Sequence, residues 1–341
     1  MKQRMINRIR KHWALILSTS ALALMGFLGI STAYAAESLL ANASPTMVGT
    51  LKESLRPQGV PTHFVVTPNG YFSPQCVQVV HARERLRTDG SIQQADGTLR
   101  TPAACTQAHY ALNGSRVETN GTTTAAAQRA NPTINGWVES TNYASNINIG
   151  RITASWTVPS APNNQSGQVV YFFPGLEQLP TVVSILQPVL GWNGYGDNAW
   201  TMASWNCCVN GTTYHSDPIS VASGDGIIGD TYSTCGAGVA NCGTWAIVSE
   251  DLHTGQNTTL YTNPQGSPTW VFGSVLEAYG VNTCDQFPSN GLINFYNIAV
   301  YDTNGNQIGS PPWGQANAGG STNPQCNYGI YSVWNGSTLY F

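Results

Sequence analysis

The chain of 341 residues is long enough for one large domain plus an accessory segment, yet only 9% of it is charged and its net charge is −3 at pH 7. All 14 Lys and Arg residues lie at or before Arg151, and from Gly136 onward Arg151 is the only strong base against 11 acidic residues. A region of that kind excludes nucleic acid as a partner and, with few carboxylates needing ionised partners, is expected to tolerate acid.

Lys2, Arg4, Arg8, Arg10 and Lys11 make a basic start, Ala14 to Ile30 an apolar run, and Ala33-Tyr34-Ala35 a small-residue cleavage site. That order predicts a secretory signal over residues 1–36, hence a secreted, extracellular protein without stable membrane association once it is removed. An uncleaved membrane anchor is the rival reading. Eight cysteines in an exported chain point to disulfides. Cys76 and Cys105 fall early and the other six late, so each part can close its own bridges. Cys235 with Cys242 and Cys284 with Cys326 are the expected pairs, and the adjacent Cys207 and Cys208 leave the connectivity open.

Residues 37–130 read as a small mixed segment. Glu37 to Leu55 carries a helical pattern ended by Arg56-Pro57. Thr62 to His109 is polar, with short apolar runs at His63 to Val66 and Val77 to Val80. Asn113 to Asn131 has the Gly, Ser, Thr and Ala composition of a linker. A domain boundary is therefore placed near residue 130, with Arg129 as a candidate cleavage point.

From 131 to 341 short runs rich in Val, Ile, Tyr, Trp and Thr recur between Asn, Gly, Pro and Asp clusters. Strands are expected at Gly150 to Val158, Gln168 to Phe173, Thr181 to Leu190, Ala199 to Trp205 and Ile219 to Val221. Further ones are expected at Thr244 to Val248, Thr258 to Thr262, Thr269 to Val281, Leu292 to Tyr301 and Gly329 to Trp334, with a turn at Asn304-Gly305. Many strands without parallel crossovers predict an all-β fold, an antiparallel β-sandwich of the concanavalin-like jelly-roll kind. No internal repeat supports a propeller.

Elimination narrows the chemistry. His215 and His253 are the only histidines after residue 131 and have no metal-binding spacing, no Gly-x-Ser-x-Gly occurs, and no glycine-rich loop leads from a strand into a helix. His215-Ser216-Asp217 cannot be a triad, because strand neighbours point to opposite faces. Carboxylates and amides remain. Gln187 follows the apolar stretch Thr181 to Leu186, where a buried amide needs hydrogen-bond partners. Alternation puts Glu277 on one face with Val271, Val275 and Tyr279, an apolar setting that raises a carboxyl pKa and suits a general acid or base. Its head reaching water at the strand end is the bland alternative. Glu177, after Pro174-Gly175, reads as a loop acid.

The second part resembles the eqolisin family of glutamic peptidases, and more faintly the neprosin group. The resemblance rests on Asn135-Gly136-Trp137, Ser155-Trp156-Thr157-Val158-Pro159, Phe173-Pro174-Gly175-Leu176-Glu177, Ile185-Leu186-Gln187 and Ala199-Trp200. Ala222-Ser223-Gly224-Asp225, Leu252-His253-Thr254-Gly255 and Glu277 follow in the family's order, so that it covers roughly residues 135 to 300. Where the family has Asp at its first acid this chain has Glu177; an acid four residues after the glutamine is replaced by Gly191, and a Glu two residues after the strand tryptophan by Met202. The resemblance implies Gln187 and Glu277 as the catalytic pair sharing a water in one groove, with Glu177, Trp200 and Phe173 lining it. It further implies polypeptide substrates, no metal or cofactor, and a monomer made as a zymogen inhibited by its own prosegment. The eight bases against six acids between residues 37 and 130 would let acid weaken the prosegment's hold on an acidic domain. Two rivals stand beside it. Ten tryptophans and 15 tyrosines suit a carbohydrate-binding sandwich, and a retaining glycosidase would need Glu177 and Glu277 about 5–5.5 Å apart.

Overall fold

The computed structural model describes residues 48–119, 122–124, 134–182, 184–317 and 323–341. The signal segment, most of the helical pattern from Glu37, Arg129 and the boundary near 130 lie outside the described residues. The described chain is almost entirely strand, interrupted by short 3-10 turns such as Glu53–Leu55 and Cys284–Gln286. The helical pattern that ends at Leu55 therefore yields only a single turn within the described residues.

Two large sheets form a sandwich. One runs, in spatial order, Gly314–Asn317, Ile134–Ala144, Trp270–Val281, Val169–Glu177, Ile185–Trp192, Trp200–Val209, Thr212–Ser216 and Val77–Val80. The other runs Gly329–Val333, Gly336–Tyr340, Leu292–Asp302, Ile149–Thr157, Gly226–Ser233, Trp245–Asp251, Asn257–Thr262 and Arg85–Leu86, followed by Ile92–Gln93 and Leu99–Arg100. Pairing is antiparallel except where the early segment joins. Val77–Val80 adds in parallel to Thr212–Ser216, and Arg85 pairs in parallel with Tyr261. The early segment thus covers an edge of each sheet, and uncovered edges template unwanted pairing.

Alternation along the strands sorts the core. Val170, Phe172, Leu190, Met202 and Leu276 meet Trp156, Ile227 and Phe295 between the sheets. Val169, Tyr171, Phe173, Ile185, Trp205 and Tyr279 face outward, and there they meet Leu51, Leu55, Val65, Val66, Tyr71 and Phe72 of the early segment. Every residue of Val169–Glu177 is buried for that reason: one face packs on the second sheet and the other on the early segment. A third, small sheet of Val65–Thr67, Gly70–Phe72, His109–Tyr110, Arg116–Val117 and Thr123–Thr124 stands over this outer face. The stretch expected as a linker from Asn113 therefore supplies two paired strands, which its small-residue composition did not signal.

Arg56 ties the early segment together from inside. Its guanidinium is buried and donates to the carbonyls of Leu51 at 2.6 Å, Pro61 at 2.8 Å and Phe64 at 2.8 Å. The cysteines close as Cys76–Cys105, Cys207–Cys208, Cys235–Cys242 and Cys284–Cys326. The two expected pairs form, and the open one is a bridge between neighbours. Among the described residues no helix is long and apolar enough to cross a membrane.

Candidate active site

Gln187 is the third residue of Ile185–Trp192, inside the strand expected at Thr181 to Leu190. Ile185 and Val189 share its outward face, and Trp205 is its register partner on the next strand. The side chain is fully buried. Its Nε2 donates to the carbonyl oxygen of Pro68 at 3.3 Å, and because that oxygen can only accept, the contact sets which end of the amide is which. Its Oε1 is buried without a partner. Pro68 and Asn69 form the tip of a hairpin in which Thr67 pairs with Gly70. Gly70 has φ +108, and any side chain there would run into the Tyr110 carbonyl. The hairpin thus delivers a backbone carbonyl from the early segment onto a buried amide donor.

Glu177 ends Val169–Glu177, where Leu176 points into the core between the sheets and Glu177 to the outer face. It pairs with Ile185, two residues before Gln187 on the adjacent strand. On one face such diagonal neighbours lie about 7–8 Å apart. Glu177 lines a cleft of about 250 Å³ with Pro68, Asn69, Trp137, Ile185 and the Cys207–Cys208 bridge. It is 7% exposed, and burial pushes its carboxyl up to about 8. The carboxyl makes no hydrogen bond to another described residue. The reading of Glu177 as a loop acid is corrected: it is a buried strand residue on the wall of a cleft.

Glu277 also faces outward, with Val275 and Tyr279, and is fully buried; Val271, expected on that face, turns into the core between the sheets across a register irregularity between Phe272 and Val275. Trp137 Nε1 donates to its Oε2 at 3.0 Å and the Tyr279 hydroxyl donates to its Oε1. Burial holds this carboxyl well above the usual range, with the two hydrogen bonds pulling the other way. It does not meet Gln187. Tyr171, on the strand between them, pairs with Glu277 on one side and Gly191 on the other, four residues from Gln187. Two strand spacings and four residues amount to about 16 Å between backbones. The Phe173 ring, fully buried on the intervening strand, fills that diagonal. The expected Gln187 and Glu277 pair around one water is therefore not formed. The same register puts Glu177 six residues from the level of Glu277, about 20 Å away. That removes the glycosidase alternative.

Trp200 does not line this face. It sits between the sheets with Phe172 at 6.2 Å and Trp192 at 5.4 Å between ring centroids. Strand alternation sends Trp200 and Met202 inward and Ala203 and Trp205 outward. Two indoles missed in the sequence stand on the cleft face instead. Trp137 packs its ring edge-on to Phe173 at 6.0 Å and to Phe272 at 4.9 Å. Trp205 stacks on His215 at 4.5 Å. His215 is buried with its ring pushed down to about 4, Nδ1 lying 2.8 Å from the Ser216 carbonyl, so it is held as a neutral ring. The Trp137-to-Glu277 register was accessible only as three-dimensional pairing. Phe173, expected to line the groove, lies on the face shared with Gln187 but is fully buried and outside the cleft lining.

A second cavity, of about 460 Å³, lies on the outer face of the other sheet around Arg151, Asp230, Tyr232 and Tyr301. Arg151 is engaged there in a two-point ion pair with Asp230 at 2.7 and 2.6 Å. Its guanidinium stands over both tyrosine rings, so those rings are not open platforms for a sugar.

No family model and no curated protein matches the chain. Among solved structures it is similar to scytalidoglutamic peptidase bound to a peptide-based transition-state analogue, with TM-score 0.44 and 17% identity over 60% of this chain and 98% of that one. It is also similar to SCP-B, a member of the eqolisin family of peptidases in complex with the tripeptide Ala-Ile-His, at TM-score 0.42 and 17% identity over the same shares. The enzymatically active domain of tailspike protein 2 from bacteriophage CBA120 follows at TM-score 0.30 and 14% identity, over 52% of this chain and 27% of that one.

Proposed function

We propose that the protein is a secreted endopeptidase of the glutamic type, made as a precursor whose early segment lies across its own cleft. The observation that carries this reading is the donation from the buried Gln187 amide to the Pro68 peptide carbonyl. A buried donor aimed at a peptide carbonyl is what an acyl-transfer enzyme needs where charge develops on oxygen. The unpartnered Oε1 of the same amide offers an acceptor for a water or a peptide N–H. A carboxyl held in a low-dielectric cleft supplies the proton relay, so hydrolysis needs no covalent intermediate.

In this reading the early segment occupies the substrate's place without being a good substrate. Its carbonyl reaches Gln187 from the tip of a two-residue hairpin loop, so the chain turns back where a substrate would run on. Polypeptides bind once that hairpin leaves. The experiment is hydrolysis of denatured casein by the full chain, between about pH 3 and pH 7, beside Gln187→Ala. Removal of one such donor costs about 10²–10³ in rate, so the variant is expected to fall by that factor with the parent active on the acid side. Because the hairpin blocks Gln187 in the full chain, Gly70→Val, which breaks the hairpin tip, is assayed alongside; casein left intact by both, or a Gln187→Ala protein as fast as the parent, sinks the proposal.

A further inference from the structure

We infer that Glu177, rather than Glu277, is the carboxylate that works with Gln187. The inference rests on the peptidase reading and names the proton carrier within it. Three observations converge on one point of the cleft. Glu177 lies diagonally beside Gln187 on the adjacent strand and the same face. The carbonyl that Gln187 holds belongs to Pro68, and Pro68 and Asn69 line the same cleft as the Glu177 carboxyl. Glu277 stands about 16 Å from Gln187 between backbones, and both its oxygens are taken by Trp137 and Tyr279.

Chemistry at this point balances with these two side chains and water. With a substrate carbonyl where Pro68 now lies, ionised Glu177 takes a proton from a water whose oxygen bonds to the carbonyl carbon. The carbonyl π pair moves to oxygen, and the resulting oxyanion accepts from Gln187 Nε2. Collapse reforms the carbonyl and breaks the C–N bond. The proton on Glu177 passes to the leaving nitrogen, which departs as an amine, and the carboxylate is restored. Proton transfer by a placed group of this kind contributes about 10²–10⁴. The early segment has a second effect here. By closing the cleft it burdens Glu177 with desolvation that favours the protonated form, in which it cannot accept a proton from water. Opening the cleft to water restores the base.

The test compares Glu177→Gln, Glu177→Asp and Glu277→Gln in the full chain, with casein hydrolysis read against pH and the melting temperature of each. The expected result is a loss of about 10²–10⁴ in Glu177→Gln with parent-like melting. Glu177→Asp should recover part of the rate with a displaced pH profile, and Glu277→Gln should stay within roughly threefold of the parent, because it keeps its shape and touches no reacting atom. Glu277→Gln silent while Glu177→Gln cleaves at the parent rate overturns the assignment and leaves the peptidase reading standing. No hydrolysis by either the parent or Gly70→Val, whose hairpin tip is broken, takes both down.

Discussion

Phe173 lies on the strand between Gln187 and Glu277, and the register of that strand sets which carboxyl the amide can reach. Gly191 settles a neighbouring question. A Cβ there would sit 2.9 Å from the Tyr171 ring, whose hydroxyl donates to the Val66 carbonyl at 3.2 Å. The acid that the resembled family often carries at this position has no room here, because an aromatic side chain already bridges to the early segment. Gly191→Ala is expected to displace that ring and destabilise the protein by about 1–3 kcal/mol, the usual cost of overpacking. Denaturant unfolding of the variant beside the parent checks it, and an unchanged midpoint would show that Tyr171 is free to move.

At the scale of elements, the hairpin tip and the edge strands do separate work. Gly70 permits the turn that presents Pro68, and Val77–Val80 and Arg85–Leu86 hold the segment to both sheets. Gly70→Val should break the tip without unpairing the edges. Under the proposed peptidase reading, a chain opened in this way is expected to hydrolyse casein severalfold faster than the parent, since the carbonyl no longer occupies Gln187; comparison of initial rates reads it. Removing the whole early segment is a different perturbation. It bares Thr212–Ser216 and Asn257–Thr262 as edges together with the apolar outer face. Residues 131–341 produced alone are therefore expected to aggregate on refolding, as exposed edges and apolar patches do, and light scattering with and without the early segment supplied in trans measures this.

Across the whole molecule, charge does less than the composition suggests. Among the described residues, the early segment and the sandwich share one ion pair, the exposed His81–Asp217 contact at 2.8 Å. The rest of that interface is apolar packing, strand pairing and hydrogen bonds such as Gln187 to Pro68 and Tyr171 to Val66, so few close ionic contacts stand there for acid to weaken. Proton linkage points the other way. Burial raises Glu139 and Glu177 to about 8 and Glu277 well above its usual range, so the folded protein holds protons that the unfolded chain gives up near pH 4.3. Stability from these groups is complete below that pH and is lost as pH rises through their folded values. His109 and His215, pushed down to about 4 by burial, act in the opposite sense, but only below about pH 6.5. Between about pH 6.5 and 8 the carboxyls act without that opposition. The melting temperature of the full chain is expected to fall across that window, and Glu139→Gln to flatten the fall; a rising melting temperature there would contradict the burial of these acids.

Much of the architecture is legible in the residues themselves. The Trp270–Val281 strand announces itself by alternation, the turn at Asn304-Gly305 by its residue pair, and two late disulfides by spacing. The outward face of Gln187 and Glu277 follows from the same period-two rule, because side-chain direction along a strand is a local property. What the residues could not say is how far one strand slides against the next. Register is fixed by the sum of contacts across the sheet, and here it sets Glu177 beside Gln187 and keeps Glu277 about 16 Å away. Nor could composition reveal that a polar-looking early segment would cover the cleft, since its strands are two to four residues long and are held by partners more than a hundred residues away. Local chemistry determined which side chains this protein owns and which way each one points; only the tertiary structure decided which of them meet, because meeting depends on strands that are neighbours in space and not in sequence.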